Sequence, residues 1–178
     1  MKRTIDDAFL SLREAIDAWA TGAAAPGVRV FVYPPEWEAA MLARFPQFTN
    51  DMAAIGRPIA IVDVAASLLQ EVERRKGLDV MLTDAERKGR QILLHDLGEL
   101  ARRSLRRQLT APLEPPTICR LFVNIGALAT FVSYSALIND LYNETPAASI
   151  LAFPGEGDDR SLNLLRLRED TNYRIPRI

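Results

Sequence analysis

One cysteine and one histidine are all that the 178 residues offer for thiol or imidazole chemistry. A lone cysteine, Cys119, excludes an internal disulfide and a cysteine-built zinc site, and it suits a reducing compartment. No apolar run approaches the roughly 20 residues that a membrane span requires. The opening stretch "MKRTIDDAFLSLREAIDAW" has two early basic residues, but acids interrupt it where a signal peptide needs an apolar core. Charge of one sign is lacking too. The net charge is -1, so no global field favours nucleic acid and any such contact needs a local patch. Repeats, low-complexity tracts and long linkers are absent from the sequence. What is present is 48% hydrophobic and 25% charged residues, which excludes wholesale disorder and supplies enough apolar material for one core. A single cytoplasmic domain spanning 1–178 is expected.

The hydrophobic pattern alternates between helical and extended. Thr4 is placed to cap a helix within residues 1–22, on which Ile5, Phe9, Leu12, Ile16 and Trp19 recur at helical spacing. "VRVFVY" reads as a strand stopped by Pro34-Pro35, and "EWEAAMLARF" as a short helix. "PIAIVD" is apolar almost throughout, which predicts a strand buried on both faces. "VAASLLQEVERRKG" follows as a helix ended by Gly77. Thr83-Asp84-Ala85-Glu86 has the form of a capping box, predicting one long helix from Asp84 to about Leu109. "ICRLFVNI", "ASILAF" and "SLNLLRL" supply further strands, and residues 171–178 a tail packed on the domain. The alternation predicts a single-domain α/β fold. Its sheet is mostly parallel, with helices on both faces and an antiparallel C-terminal edge.

Candidate sites are few. A phosphate loop needs glycines that expose backbone N–H groups, then a lysine and a hydroxyl at a helix start. "PGEGDDR", residues 154–160, has glycines but no lysine, carries three acids and precedes a strand. The segment after the first strand, "YPPEWE", has no glycine and two glutamates. The fold expected is therefore that of a nucleotide-binding domain without its phosphate loop, and no cofactor is expected. Glu156, Asp158 and Asp159 are hard oxygen ligands, but their spacing is too compressed for a calcium loop. They read as a hairpin turn in which Pro154 closes the strand and Gly155 and Gly157 permit the reversal. Asp63, at a strand end, is either a metal ligand or base, or the N-cap of the next helix, and the cap is favoured. His95 has no partner nucleophile or orienting acid at any telling spacing. Cys119 reads as a small core residue, and no nucleophile-elbow pattern surrounds Ser133 or Ser135.

One charge feature remains. Arg102, Arg103, Arg106 and Arg107 crowd one end of one helix as two i,i+4 pairs. Like charges at that spacing repel weakly, and a helix C-terminus offsets part of the repulsion. They form either a solvated face or a docking patch for an acidic partner or nucleic acid.

The C-terminal third also carries a resemblance. "ICRLFVNIGALATFVSYSALINDL", "ILAFPGEGDDRSLNLLRL" and "TNYRIPRI", in that order, resemble the BrxB family of bacterial BREX phage-defence systems. "VRVFVYPPEWE" and "IAIVDVAASLLQ" are more loosely similar to that family's first two strands. The resemblance implies a subunit without an agreed enzymatic activity, encoded beside a large ATPase (BrxC), a phosphatase-like protein (PglZ) and a DNA methyltransferase (PglX); a non-catalytic role is the expectation drawn from it. It implies docking with other components, PglZ foremost, and it supplies no catalytic residues to carry over; no catalytic, cofactor or metal residues are expected. The alternatives are a nucleic-acid-binding module using the arginine helix, and a metal-dependent hydrolase built on Glu36, Asp63, Asp158 and Asp159.

Overall fold

Thr4 opens the first helix, α1 (Ile5–Ala20), with a reciprocal cap: its hydroxyl accepts the Asp7 N–H at 3.2 Å, and the Asp7 carboxylate accepts the Thr4 N–H at 2.8 Å. The computed structural model describes residues 3–75, 77–128, 132, 147–157, 161–164, 168–171 and 178. After α1 come β1 (Val28–Tyr33), a single 3-10 turn (Pro35–Trp37), α2 (Glu38–Ala54) and β2 (Ile59–Asp63). Three helices then follow in succession, α3 (Val64–Arg75), α4 (Leu78–Lys88) and α5 (Arg90–Thr110). β3 (Cys119–Val123), a second 3-10 turn (Ile125–Leu128), β4 (Ser149–Gly157), β5 (Ser161–Leu164) and β6 (Arg168–Thr171) complete the described elements.

β1 to β4 form a parallel sheet in the order β2-β3-β4-β1, and β5 and β6 add antiparallel beyond the end of β4. The α/β class, the mixed pairing and the antiparallel C-terminal edge are those expected from the sequence. From β1 the chain crosses to the far side of the parallel sheet, then returns one strand at a time. Crossovers are right-handed, so opposite directions of travel place the connecting helices on opposite faces. The core divides accordingly. Phe9, Leu12 and Ile16 of α1 and Met41, Phe45 and Met52 of α2 pack on Phe31, Tyr33, Leu121 and Ile150. On the other face, Leu68 and Val72 of α3, Met81 of α4 and Leu105 and Leu109 of α5 pack on Val30, Phe122, Leu151 and Phe153. Within β4, Ile150 and Ala152 serve one layer and Leu151 and Phe153 the other, the period-2 alternation of a strand covered on both sides. Ile178 packs on the α1/α2 layer, and its N–H bonds the Val30 carbonyl at 3.0 Å. Tyr173 lies outside the described residues.

Four expectations are corrected. First, the long helix is two helices. Gly89, at φ 98° and ψ 152°, breaks the run between α4 and α5, and Thr83 lies inside α4 instead of capping a helix start. A glycine adopts that backbone without a Cβ penalty, and this outweighs the capping-box pattern. Second, α2 does not end near Phe45 but continues through Pro46 to Ala54. Burial of Phe48 and Met52 on the same face as Met41 and Phe45 overrides the lost backbone bond. Third, β2 is an edge strand of the parallel sheet. Its side chains are half-buried, and Ile61 is 38% exposed. Fourth, β4 does not close at Pro154. It runs on to Gly157, with Gly155 opposite Leu164 and Gly157 opposite Leu162. Pro154 sits where β4 exchanges parallel for antiparallel partners, a point in the ladder at which a missing N–H is tolerated.

Candidate functional site

In open α/β sheets ligands bind beyond the carboxyl ends of the strands, and three groups stand there. Asp63 ends β2. Its Oδ1 accepts the Ala66 N–H at 2.9 Å, which makes it the N-cap of α3, and its Oδ2 accepts the Asn124 side-chain amide at 2.7 Å. Asn124 follows β3 at φ 57°, a left-handed conformation that asparagine tolerates better than most residues. The cap is thus the role the geometry gives Asp63, and Asn124 occupies its other oxygen. At the end of β1 the Tyr33 hydroxyl donates to the Glu38 carboxylate. Burial first, then this bond, pushes the Tyr33 hydroxyl up; burial also raises the Glu38 carboxyl, with the tyrosine opposing.

This edge is poorly suited to phosphate. Pro34 and Pro35 have no N–H to donate, and Glu36 and Glu38 bring negative charge to the position a phosphate loop would occupy. β4 also runs three residues past Pro154, the residue paired with Tyr33, so the chain itself extends through the crevice between the ends of β1 and β3. Saturating Mg-ATP is accordingly expected to leave the melting temperature unchanged. A stabilisation of about 2.7 kcal/mol at a hundredfold excess over Kd would contradict this. The metal-hydrolase alternative fares no better. Asp63 on β2 and Glu36 after β1 are separated by β3 and β4, roughly 14 Å at normal strand spacing. Asp158 and Asp159 lie outside the described residues, as do Ser133 and Ser135. Among the described residues no group of three or more His, Cys, Asp or Glu could hold a metal ion, and no helix is long and apolar enough to cross a membrane. Cys119 is fully buried, and burial pushes its thiol up to about 12, far from a reactive thiolate.

The arginines of α5 separate into two sets. Arg102 meets Glu99 at 3.0 Å and Arg103 meets it at 4.0 Å, all three on the solvent side of α5. Arg107 instead crosses to α3, where its guanidinium donates to Glu71 at 3.2 Å. Glu71 is only 4% exposed. Arg74 donates to both its oxygens, at 2.9 and 2.8 Å, and Arg75 donates from Nε at 2.9 Å. The Arg74 guanidinium above all, with Arg75 and Arg107 adding and burial opposing, holds this carboxyl at about 2 instead of 4.5. Arg106 is exposed and is not without a partner. Beside this cluster, a cavity of about 670 Å³ opens between α3, α4 and α5. Met81 and Leu100 line it together with Arg74, Arg75, Arg103 and His95, and Asp96 and Glu99 complete the wall.

Glu71 was not visible as a site in the sequence. Arginines at i+3 and i+4 from a glutamate are common on solvated helix faces, and the contact that makes Glu71 a link between helices comes from 36 residues away. His95 and Arg103, which no sequence motif connects, share one cavity wall. No protein-family model, curated protein or solved structure matches the chain.

Proposed function

We propose that the protein is a non-catalytic adaptor subunit of a BREX phage-defence complex, acting by docking to other BREX components, the PglZ phosphatase-like protein first among them and BrxC second. The observation that carries this reading is the ordered C-terminal motif set resembling the BrxB family, within which Gly155, Glu156 and Gly157 of β4 pair with Leu164, Asn163 and Leu162 of β5. Two structural features support it. At the carboxyl edge of the sheet, Pro34, Pro35, Glu36 and Glu38 stand where a phosphate loop would, and β4 continues past Pro154. Charge is also segregated. Residues 64–110 hold ten Lys and Arg against seven Asp and Glu, whereas the rest of the chain holds twelve against sixteen. One side of the sheet, covered by α3 to α5, therefore presents the positive field that steers an acidic protein surface into register.

The test is co-expression with PglZ and BrxC. The adaptor is expected to co-purify with PglZ through size exclusion at physiological salt. Elution of both proteins as separate species would remove the proposal. The exposure of Arg102, Arg103 and Arg106 favours a second reading, a nucleic-acid-binding module. That reading requires duplex binding that weakens steeply between low and physiological salt, as counterion release demands.

A further inference from the structure

We infer that the cleft between α4 and α5 is a seat for an acidic amphipathic helix presented by a partner protein. This deepens the adaptor reading and rests on it for the partner's origin, though not for the chemistry of the cleft. The floor is apolar: Met81 and Leu100 line the cavity and belong to the buried core. Helical spacing places two exposed apolar side chains on the cavity side of α4 and α5. Leu78, three residues before Met81 and so on the same side of α4, is 37% exposed. Ile92, at i,i+4 and i,i+7 from Asp96 and Glu99 on α5, is 39% exposed. A compact ligand filling the cavity alone would leave both side chains in water. A rod lying along the groove between two helices covers floor and flanks together, the usual way an amphipathic helix docks.

The rim sets the sign of the partner's charge. Glu71 holds Arg74, Arg75 and Arg107, while Glu99 holds Arg102 and Arg103. Of these, Arg74, Arg75 and Arg103 line the cavity, where they outnumber its carboxylates, Asp96 and Glu99, by three to two. Each arginine presents five N–H donors and spends only some of them on these bonds, so the rim can still donate to carboxylates arriving from outside. A partner helix with leucines on one face and glutamates flanking them meets both requirements.

The probe is a fluorescein-labelled synthetic peptide of about five helical turns, with leucine at helical spacing on one face and glutamate elsewhere. The intact protein is expected to bind it, and the affinity is expected to fall as salt rises. The double substitution Leu78→Glu/Ile92→Glu is expected to weaken binding by about tenfold or more, because it places like charge against the peptide. Both side chains are partly exposed, so the melting curve should stay near that of the parent and verify the fold. Leu10→Glu, on the other face of the sheet, should bind normally. Failure of the parent to bind, an unchanged Kd in the double variant, or equal binding of a peptide with lysine in place of glutamate would each overturn the inference. So would displacement of the peptide by a short DNA duplex. The two proposals separate cleanly. PglZ co-purification undiminished by the double substitution overturns the cleft and leaves the adaptor. Peptide binding without PglZ co-purification keeps the cleft and removes the adaptor.

Discussion

Arg107→Glu is expected to lower the melting temperature by roughly 5 °C or more, whereas Arg102→Glu and Arg103→Glu should each leave it almost unchanged. The three residues look alike in the sequence, but their surroundings differ. Arg102 and Arg103 pair with Glu99 on one helix in water, where an ion pair contributes little. Arg107 is the only one of these three that reaches α3, and the carboxylate it reaches is buried. Reversal removes the α3–α5 link and sets a second carboxylate against Glu71, which can escape only by protonation or by the helices parting. Circular dichroism melts of the three variants would decide the matter, and an Arg107→Glu melt equal to that of Arg102→Glu would show that the link is inert. The same carboxylate predicts acid sensitivity. Its folded pKa lies below its unfolded value, so its contribution to stability is complete above about pH 4.5 and disappears as pH falls towards 2. In Glu71→Gln that part of the acid transition should be missing. Reversing all four arginines together would confound docking with folding, which is why a docking test should spare Arg107.

Phe45→Ala is expected to cost about 3–5 kcal/mol, a large share of the 5–15 kcal/mol that typically holds a domain together. Phe45 is fully buried on α2. Its ring meets Phe9 of α1 at 5.6 Å and Tyr33 of β1 at 6.4 Å, both edge to face, so one side chain joins two helices and the sheet. Truncation leaves a cavity among aromatic rings that relax poorly. It also loosens the packing that holds Tyr33 against Glu38. Urea unfolding should show a lower midpoint with an unchanged slope. A loss below about 1 kcal/mol would mean that α2 collapses into the space, against the large costs usual for phenylalanine truncation.

Much of the fold was legible because its strands are short, apolar and separated by helices. Val28–Tyr33, Ile59–Asp63 and Cys119–Val123 were all recognisable from β-branched and aromatic runs, and Thr4 and Asp63 from their capping chemistry. What was not legible depends on contacts distant in the chain. The apolar run of β2 suggested a central strand, yet its place at the edge follows from the order of pairing, which no local pattern encodes. Gly89 sat inside a convincing helical period and was outvoted by it, although its backbone ends α4 and begins α5. At the candidate surface, local spacing shows the four arginines as one group. Their division into a solvent-facing set and a structural residue is decided by Glu71, whose burial depends on how α3 packs against α5. The cleft itself needed three helices to be placed before its wall existed.

The pairing of β1 with β4 sets a schedule for the growing chain. Val28 lies opposite Ser149, so the strand that joins both halves of the parallel sheet emerges from the ribosome about 120 residues after the strand it must meet. Until then β2 and β3 can pair with each other, but among the described strands β1 has no other partner, and its Phe31 and Tyr33 pack in the layer of α1 and α2. Closing so long a loop is slow and entropically opposed. The helical layers on either side must therefore remain apart until β4 is inserted between β1 and β3. A chain interrupted before Ser149 lacks the central strand that holds the two layers to one sheet, and the nascent protein is most exposed to chaperones and proteases during that interval.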